Sequence, residues 1–131
     1  MSAVAVADVE RRRLGERFAE LCRVYSPSRF ERACAELVRR ELSELGLAVE
    51  EDRAGSALGG DCGNLLARVP GSGEGSLLFC AHLDTVPADA PIQPVLVDGA
   101  WENANDAILG ADNKAAVAVL LALARRLVAE P

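Results

Sequence analysis

The stretch Ser76-Leu-Leu-Phe-Cys-Ala-His-Leu-Asp84 decides how this chain is read. Its first six residues, Ser76–Ala81, form an uncharged, largely apolar run opened by a glycine-rich turn, the pattern of a short buried β-strand. The run ends abruptly in His82 and Asp84, and Thr85-Val86-Pro87 then stops the strand at a proline. His82 is the single histidine of the protein. Positions i and i+2 of an extended backbone face the same way. An imidazole and a carboxylate so placed, at the C-terminal end of a buried strand, stand where open α/β sheets hold their ligands.

Elements suited to an α/β layer surround this strand. Leu14, Phe18, Leu21 and Tyr25 recur at helical spacing and predict an amphipathic helix from about Asp8 to Tyr25, broken at Ser26-Pro27. Ser28 and Glu31 read as a capping box opening a second helix, with Phe30, Cys34, Leu37, Val38, Leu42 and Leu45 on its apolar stripe and Gly46 at its C-cap. Strands are predicted at Leu47–Asp52 and Asn64–Val69, separated by a glycine-rich loop over Ala54–Gly63. Pro70–Gly75 precedes a strand rather than joining strand to helix, so its glycines make a turn and not a phosphate loop. Val95–Val97 and Ala100–Glu102 flank Asp98-Gly99, the signature of a type I′ hairpin, with Trp101 as a packing residue. The helix Ala115–Ala129 is apolar nearly all round before Arg125 and is expected to lie buried against a mixed sheet built from 47–52, 64–69 and 76–81.

At 131 residues the chain fits one domain, and it is half apolar. Its 14 basic against 20 acidic residues give a net charge of −6, which excludes an overall field for nucleic acid or anionic membrane. Arg11-Arg12-Arg13 reads as a solvated helix face, and Glu50-Glu51 as a solvated strand end. The first eight residues lack the basic n-region of a signal peptide, and Ala115–Ala124 is about half a membrane span, so a cytoplasmic protein is expected. Cys22, Cys34, Cys62 and Cys80 show no paired metal spacing, and Cys34 and Cys80 are expected on core faces as free thiols.

Asp112 is the residue most able to join His82. It lies at a second loop-to-helix junction, two residues after Gly110 and just before the apolar helix. Capping of that helix by Asp112 or Asn113 is the simpler use of the position. Yet helix N-termini and strand C-termini on one sheet edge converge, and an imidazole with a carboxylate suits a borderline divalent ion such as zinc. Both readings stand on the residues alone.

His82-Leu83-Asp84-Thr85-Val86-Pro87, taken with Gly110-Ala111-Asp112-Asn113-Lys114, resembles the two N-terminal signatures of the co-catalytic zinc peptidase and deacylase family, which includes tripeptidases (peptidase T), glutamate carboxypeptidase, acetylornithine deacetylase and aminoacylase. Ser26-Pro27-Ser28, Glu41–Gly46, Gly59-Gly60, Gly63-Asn64-Leu65 and Ile108-Leu109-Gly110 are similar to its tripeptidase-like branch, though Asn113 and Ala116 replace the aspartate and glycine common there. The resemblance implies a layered α/β/α catalytic domain. His82 is then a zinc ligand, Asp84 the catalytic-site carboxylate that orients His82, and Asp112 a bridge between two zinc ions roughly 3.5–4 Å apart, with cobalt or manganese as substitutes. It also implies a cis peptide bond after Asp112.

The same resemblance implies hydrolysis of the amide bond of a small peptide or N-acyl amino acid, a tripeptide-type substrate first among them. The family's glutamate pair, further acidic ligand, last histidine and inserted dimerisation domain have no counterpart after residue 112. Residues 1–131 are therefore expected to be the N-terminal portion of a single catalytic domain, truncated before its later strands and inactive alone. An unpaired sheet edge is expected to drive self-association. The competing reading is a catalytically dead domain kept as a binding module. A reading frame continuing into a Glu-Glu motif and a late histidine favours the enzyme, and a stop codon after Pro131 the module.

Overall fold

A computed structural model describes residues 8–130. The expectations for the first residues and for Pro131 lie outside this range. The order of elements is α1 (Asp8–Arg23), α2 (Arg32–Glu44), β1 (Val49–Glu51), α3 (Ala54–Leu58), β2 (Leu65–Ala67), β3 (Pro94–Val97), β4 (Ala100–Asn103) and α4 (Ala111–Ala129).

Three helices build the core. Leu21 of α1, Cys34, Leu37 and Val38 of α2, and Val117, Ala118 and Leu121 of α4 are buried together. Leu14 and Phe18 on the stripe of α1 pack against this cluster, as their spacing predicts, whereas Tyr25 is exposed. The helix α4 is seated on α1 and α2 rather than on a sheet. Only one of its faces is covered: Val119 and Leu127 are exposed, so its all-round apolarity exceeds what the described fold buries. The basic run Arg11-Arg12-Arg13 of α1 is exposed.

The strands form two separate two-stranded antiparallel sheets among the described residues, not one mixed sheet. β1 pairs with β2 in the register Val49↔Ala67 and Glu51↔Leu65. β3 pairs with β4 across Asp98 and Gly99, whose φ values of 48° and 83° are those of the predicted type I′ turn. Trp101 stands edge-on to Phe18 with ring centroids 6.1 Å apart, which fastens this hairpin to α1.

The largest departure concerns Ser76–Ala81. The segment is not a strand here, and Leu77 and Leu78 are 85% and 80% exposed, with Phe79 and Cys80 also exposed. The physical reason is pairing: an apolar run becomes a buried strand only when neighbours satisfy its N–H and C=O groups. Among the described residues none does: the two sheets consist of β1 with β2 and β3 with β4 alone. Only the end of the run is fixed. Ala81 and Leu83 pack on the core, so the alternating positions 82 and 84 are turned to the opposite side.

Smaller differences have local causes. Ser28 does not cap α2; Glu31 holds the N-cap position without a side-chain cap hydrogen bond, and Phe30 is 66% exposed. The loop 54–63 contains the short helix α3, ended by Gly59 at φ 73°. Gly46 sits at φ 80° after α2, as its C-cap reading requires. Cys22 and Cys34 are buried free thiols, the former raised to about 11 chiefly by burial.

Glu51 is not a solvated strand end. Its carboxylate accepts from Arg32 Nη2 at 2.7 Å, Arg39 Nη2 at 2.6 Å and Gly63 N at 2.9 Å, tying α2 to β1 and the loop before β2. The Arg32 hydrogen bonds, then that of Gly63, hold its pKa at about 2 against an ordinary 4.5. A carboxyl depressed on folding contributes stability above its unfolded value and loses it as pH falls through the folded one. Wild type is expected to resist urea better than Glu51→Gln at pH 7, with the gap closing between about pH 4.5 and 2. A gap unchanged across that window would count against this clamp.

Candidate metal centre

The loop after α1 assembles the site. Ser26 Oγ donates to Leu83 O at 2.8 Å, and Thr85 N donates to Ser26 O at 2.9 Å, so one serine grips the backbone on both sides of Asp84. Pro27 and Thr85 form an isolated parallel bridge there. Two residues on, Ser28 Oγ donates to Asp84 Oδ2. Gly110, at φ 79°, brings the second motif against this loop; a Cβ on it would lie 3.3 Å from Thr85 Cγ2.

His82 then stands between two carboxylates. Its Nδ1 lies 2.9 Å from Asp84 O and 3.1 Å from Asp84 Oδ1. Both are acceptors, so Nδ1 carries a proton; the second nitrogen, Nε2, donates to its own acceptor when the ring is protonated and holds the lone pair in the neutral Nδ1–H tautomer. Nε2 faces Asp112 Oδ1 at 3.0 Å. The three residues picked out in the sequence are thus brought together, and Asp112 turns its carboxylate to His82 rather than capping α4, whose N-cap position is Gly110 without a side-chain cap bond. The Asp112–Asn113 peptide bond is cis, as the resemblance implied.

Charge follows this geometry. Burial lowers the pKa of the His82 ring, but the Asp84 carbonyl, the Asp112 hydrogen bond and both carboxylate charges outweigh it, and the net shift is upward. Asp84 is held below its usual value first by Ser28 and, against some desolvation, by His82. The three side chains line an open cavity of about 400 Å³ with Ser28, Thr85 and Val86.

The donor set fits a divalent cation. Two donors bound to one tetrahedral zinc at about 2.0–2.1 Å lie about 3.3 Å apart, close to the 3.0 Å observed between Nε2 and Oδ1. The side chain of Asp112 is 93% exposed and that of His82 50% exposed, so an ion can approach from solvent. Among the described residues, the cavity lining offers no third imidazole or carboxylate beyond Asp84. A catalytic zinc normally has three protein ligands, so the set is compatible but incomplete.

Sequence reasoning missed two features. Ser28, read as a helix cap, instead supports Asp84; a serine two residues after Ser26 in a Ser-Pro-Ser turn was the available signal. Glu31, Asp61 and Cys62 also place donor atoms within 4.8 Å of one another. Backbone N–H groups of Arg29 and Arg32 already occupy the two carboxylates.

Comparison with known proteins accords with this arrangement. An aminopeptidase PepT from Bacillus cereus superposes with a TM-score of 0.83 at 32% identity, covering 92% of this chain and 32% of its own. A tripeptidase from Staphylococcus aureus gives 0.80 at 28% identity, covering 91% and 32%. The cytosol non-specific dipeptidase of Escherichia coli is 33% identical over 120 residues, 81% of this chain and 23% of that protein. The chain spans less than a third of the length of the proteins it matches. These neighbours share the α/β catalytic architecture expected from the sequence. The model of peptidase family M28 matches residues 64–131, just over half of the chain and the part that carries His82, Asp84 and Asp112, and the chain belongs to that family.

Proposed function

We propose that residues 1–131 are the N-terminal portion of one catalytic domain of a metal-dependent aminopeptidase acting on small peptides, tripeptides first, in the cytoplasm. The observation that carries this reading is the row Asp84–His82–Asp112, in which Nε2 and a carboxylate oxygen stand 3.0 Å apart on an open cavity. Peptidases of this family are typically metal-dependent. His82 and Asp112 are the residues that would hold the ion, zinc being the best fit to one imidazole and one carboxylate. When bound, such an ion polarises a carbonyl and lowers the pKa of water toward neutrality.

The chain's own residues prepare for that. Asp84 keeps the proton on Nδ1 and so presents the Nε2 lone pair. Ser28 keeps Asp84 in place and ionised. Asp112, exposed on its far side, has a second oxygen to offer a second ion. The general base and remaining ligands lie on polypeptide beyond this chain in this reading, and the exposed apolar run Leu77–Cys80, with its unpaired backbone, is the segment through which the isolated chain self-associates.

The test compares this chain with a longer polypeptide that restores the downstream segment, each assayed with zinc on a tripeptide and on an N-acyl amino acid. Hydrolysis by the longer chain alone, faster on the tripeptide, is expected. A longer chain inert on both substrates at full metal occupancy would refute the reading and leave the binding module.

A further inference from the structure

Lys114 is the largest side chain that the described fold buries completely, at 1% exposure. Its local setting disfavours it twice. A cation in the first turn of a helix opposes the macrodipole, and a buried ammonium loses its hydration. Among the described residues no carboxylate pairs with it. Instead Nζ donates to Val24 O at 2.8 Å and to Leu21 O at 3.1 Å, carbonyls at the C-terminal end of α1, where a cation is favoured. Its charge also acts on the thiols of Cys22 and Cys34, opposing the rise that burial gives both.

The position matters because of what the same segment holds elsewhere. Residues 24–28 grip the first motif through Ser26, which bonds Leu83 and Thr85 on either side of Asp84. They grip the second through Lys114, two residues after Asp112. The span between His82 and Asp112 is therefore set by one short piece of chain with a polar tie to each motif. Between them, Asp112 and Asn113 have non-helical backbone angles, so regular helix hydrogen bonding does not fix them, and Asp112 itself is exposed.

We infer that Lys114 is a positioning residue: by binding the last carbonyls of α1 it fixes the turn 110–114 so that the Asp112 carboxylate meets His82 Nε2. The inference builds on the metal-site reading above, but its test does not depend on that reading.

Because the protein has one histidine, the ring signals of His82 are unambiguous in nitrogen-15 NMR. In the metal-free chain at fixed pH, Asp112→Asn is expected to shift the His82 Nε2 resonance. In the Lys114→Met background the same change should shift it by less than half as much. Methionine matches the lysine stem and removes only the donors, so the fold should survive; if it does not, Lys114→Gln, with a shorter donor, replaces it and should give an intermediate shift. Val117→Ala, a buried change one turn along α4, controls for loosened packing and should leave the full Asp112 effect. Equal Asp112 effects in wild type and the lysine variant, or equal losses in Val117→Ala, would overturn the inference. Cobalt titration forms a separate arm, with a 10–100-fold loss of affinity expected in Lys114→Met. A wild type that binds no cobalt refutes the metal reading, while the NMR arm still decides the role of Lys114.

Discussion

In the longer, active polypeptide, His82→Ala and Asp112→Ala are each expected to lower kcat/KM by about 10³-fold or more. The size follows from what the two groups provide together. A divalent ion contributes several kcal/mol of transition-state charge stabilisation, and each 1.36 kcal/mol is a factor of about ten in rate. The alanines take away different things. His82→Ala removes the only imidazole of these 131 residues, and Asp84, at 3.1 Å from it, loses its purpose. Asp112→Ala removes the one carboxylate aimed at Nε2. If the two act on one site, the double variant should be no worse than the single ones, because groups that act as a unit are strongly non-additive. Two independent, multiplying losses measured by steady-state kinetics would show that they serve separate sites.

The second large effect concerns Asp84. Asp84→Asn keeps the shape but replaces a carboxylate acceptor with an amide. Metal affinity is expected to fall 10–100-fold, the usual cost of losing the group behind a ligating histidine. The loss should be smaller than for His82→Ala, because the carbonyl of residue 84 still accepts from Nδ1 at 2.9 Å. Ser28→Ala should move affinity the same way and less, since it reaches the ion only through Asp84. Calorimetric titration with zinc or cobalt checks the order His82, Asp84, Ser28. An Asp84→Asn variant as weak as His82→Ala would make residue 84 a direct ligand.

Much of this site was legible in the sequence because short-range chemistry governs it. The i, i+2 spacing of His82 and Asp84 on extended backbone sufficed to place one behind the other. Asp-Gly at 98–99 specified the hairpin turn, and Gly46 the end of α2, since both need positive φ. What stayed hidden depended on distant partners. Ser76–Ala81 has the composition of a buried strand, but composition does not supply the neighbours that make one. The apolar surface of α4 exceeds what α1 and α2 cover for the same reason. Ser28 and Glu51 misled because a local use, a cap and a solvated end, was available, and the real partners lie far along the chain or, for Arg32, on the next element. Lys114 gave no sign of burial, because its acceptors are main-chain carbonyls that no side-chain pattern reveals.

The most direct measurement is X-ray absorption at the zinc edge on the 131-residue chain loaded with one equivalent of zinc, for wild type, His82→Ala and Asp112→Ala. One imidazole is expected in the wild-type shell, with its multiple-scattering signal lost in His82→Ala and one fewer protein oxygen in Asp112→Ala. A wild-type shell with sulfur and no imidazole, unchanged by either substitution, would place the ion away from His82 and Asp112.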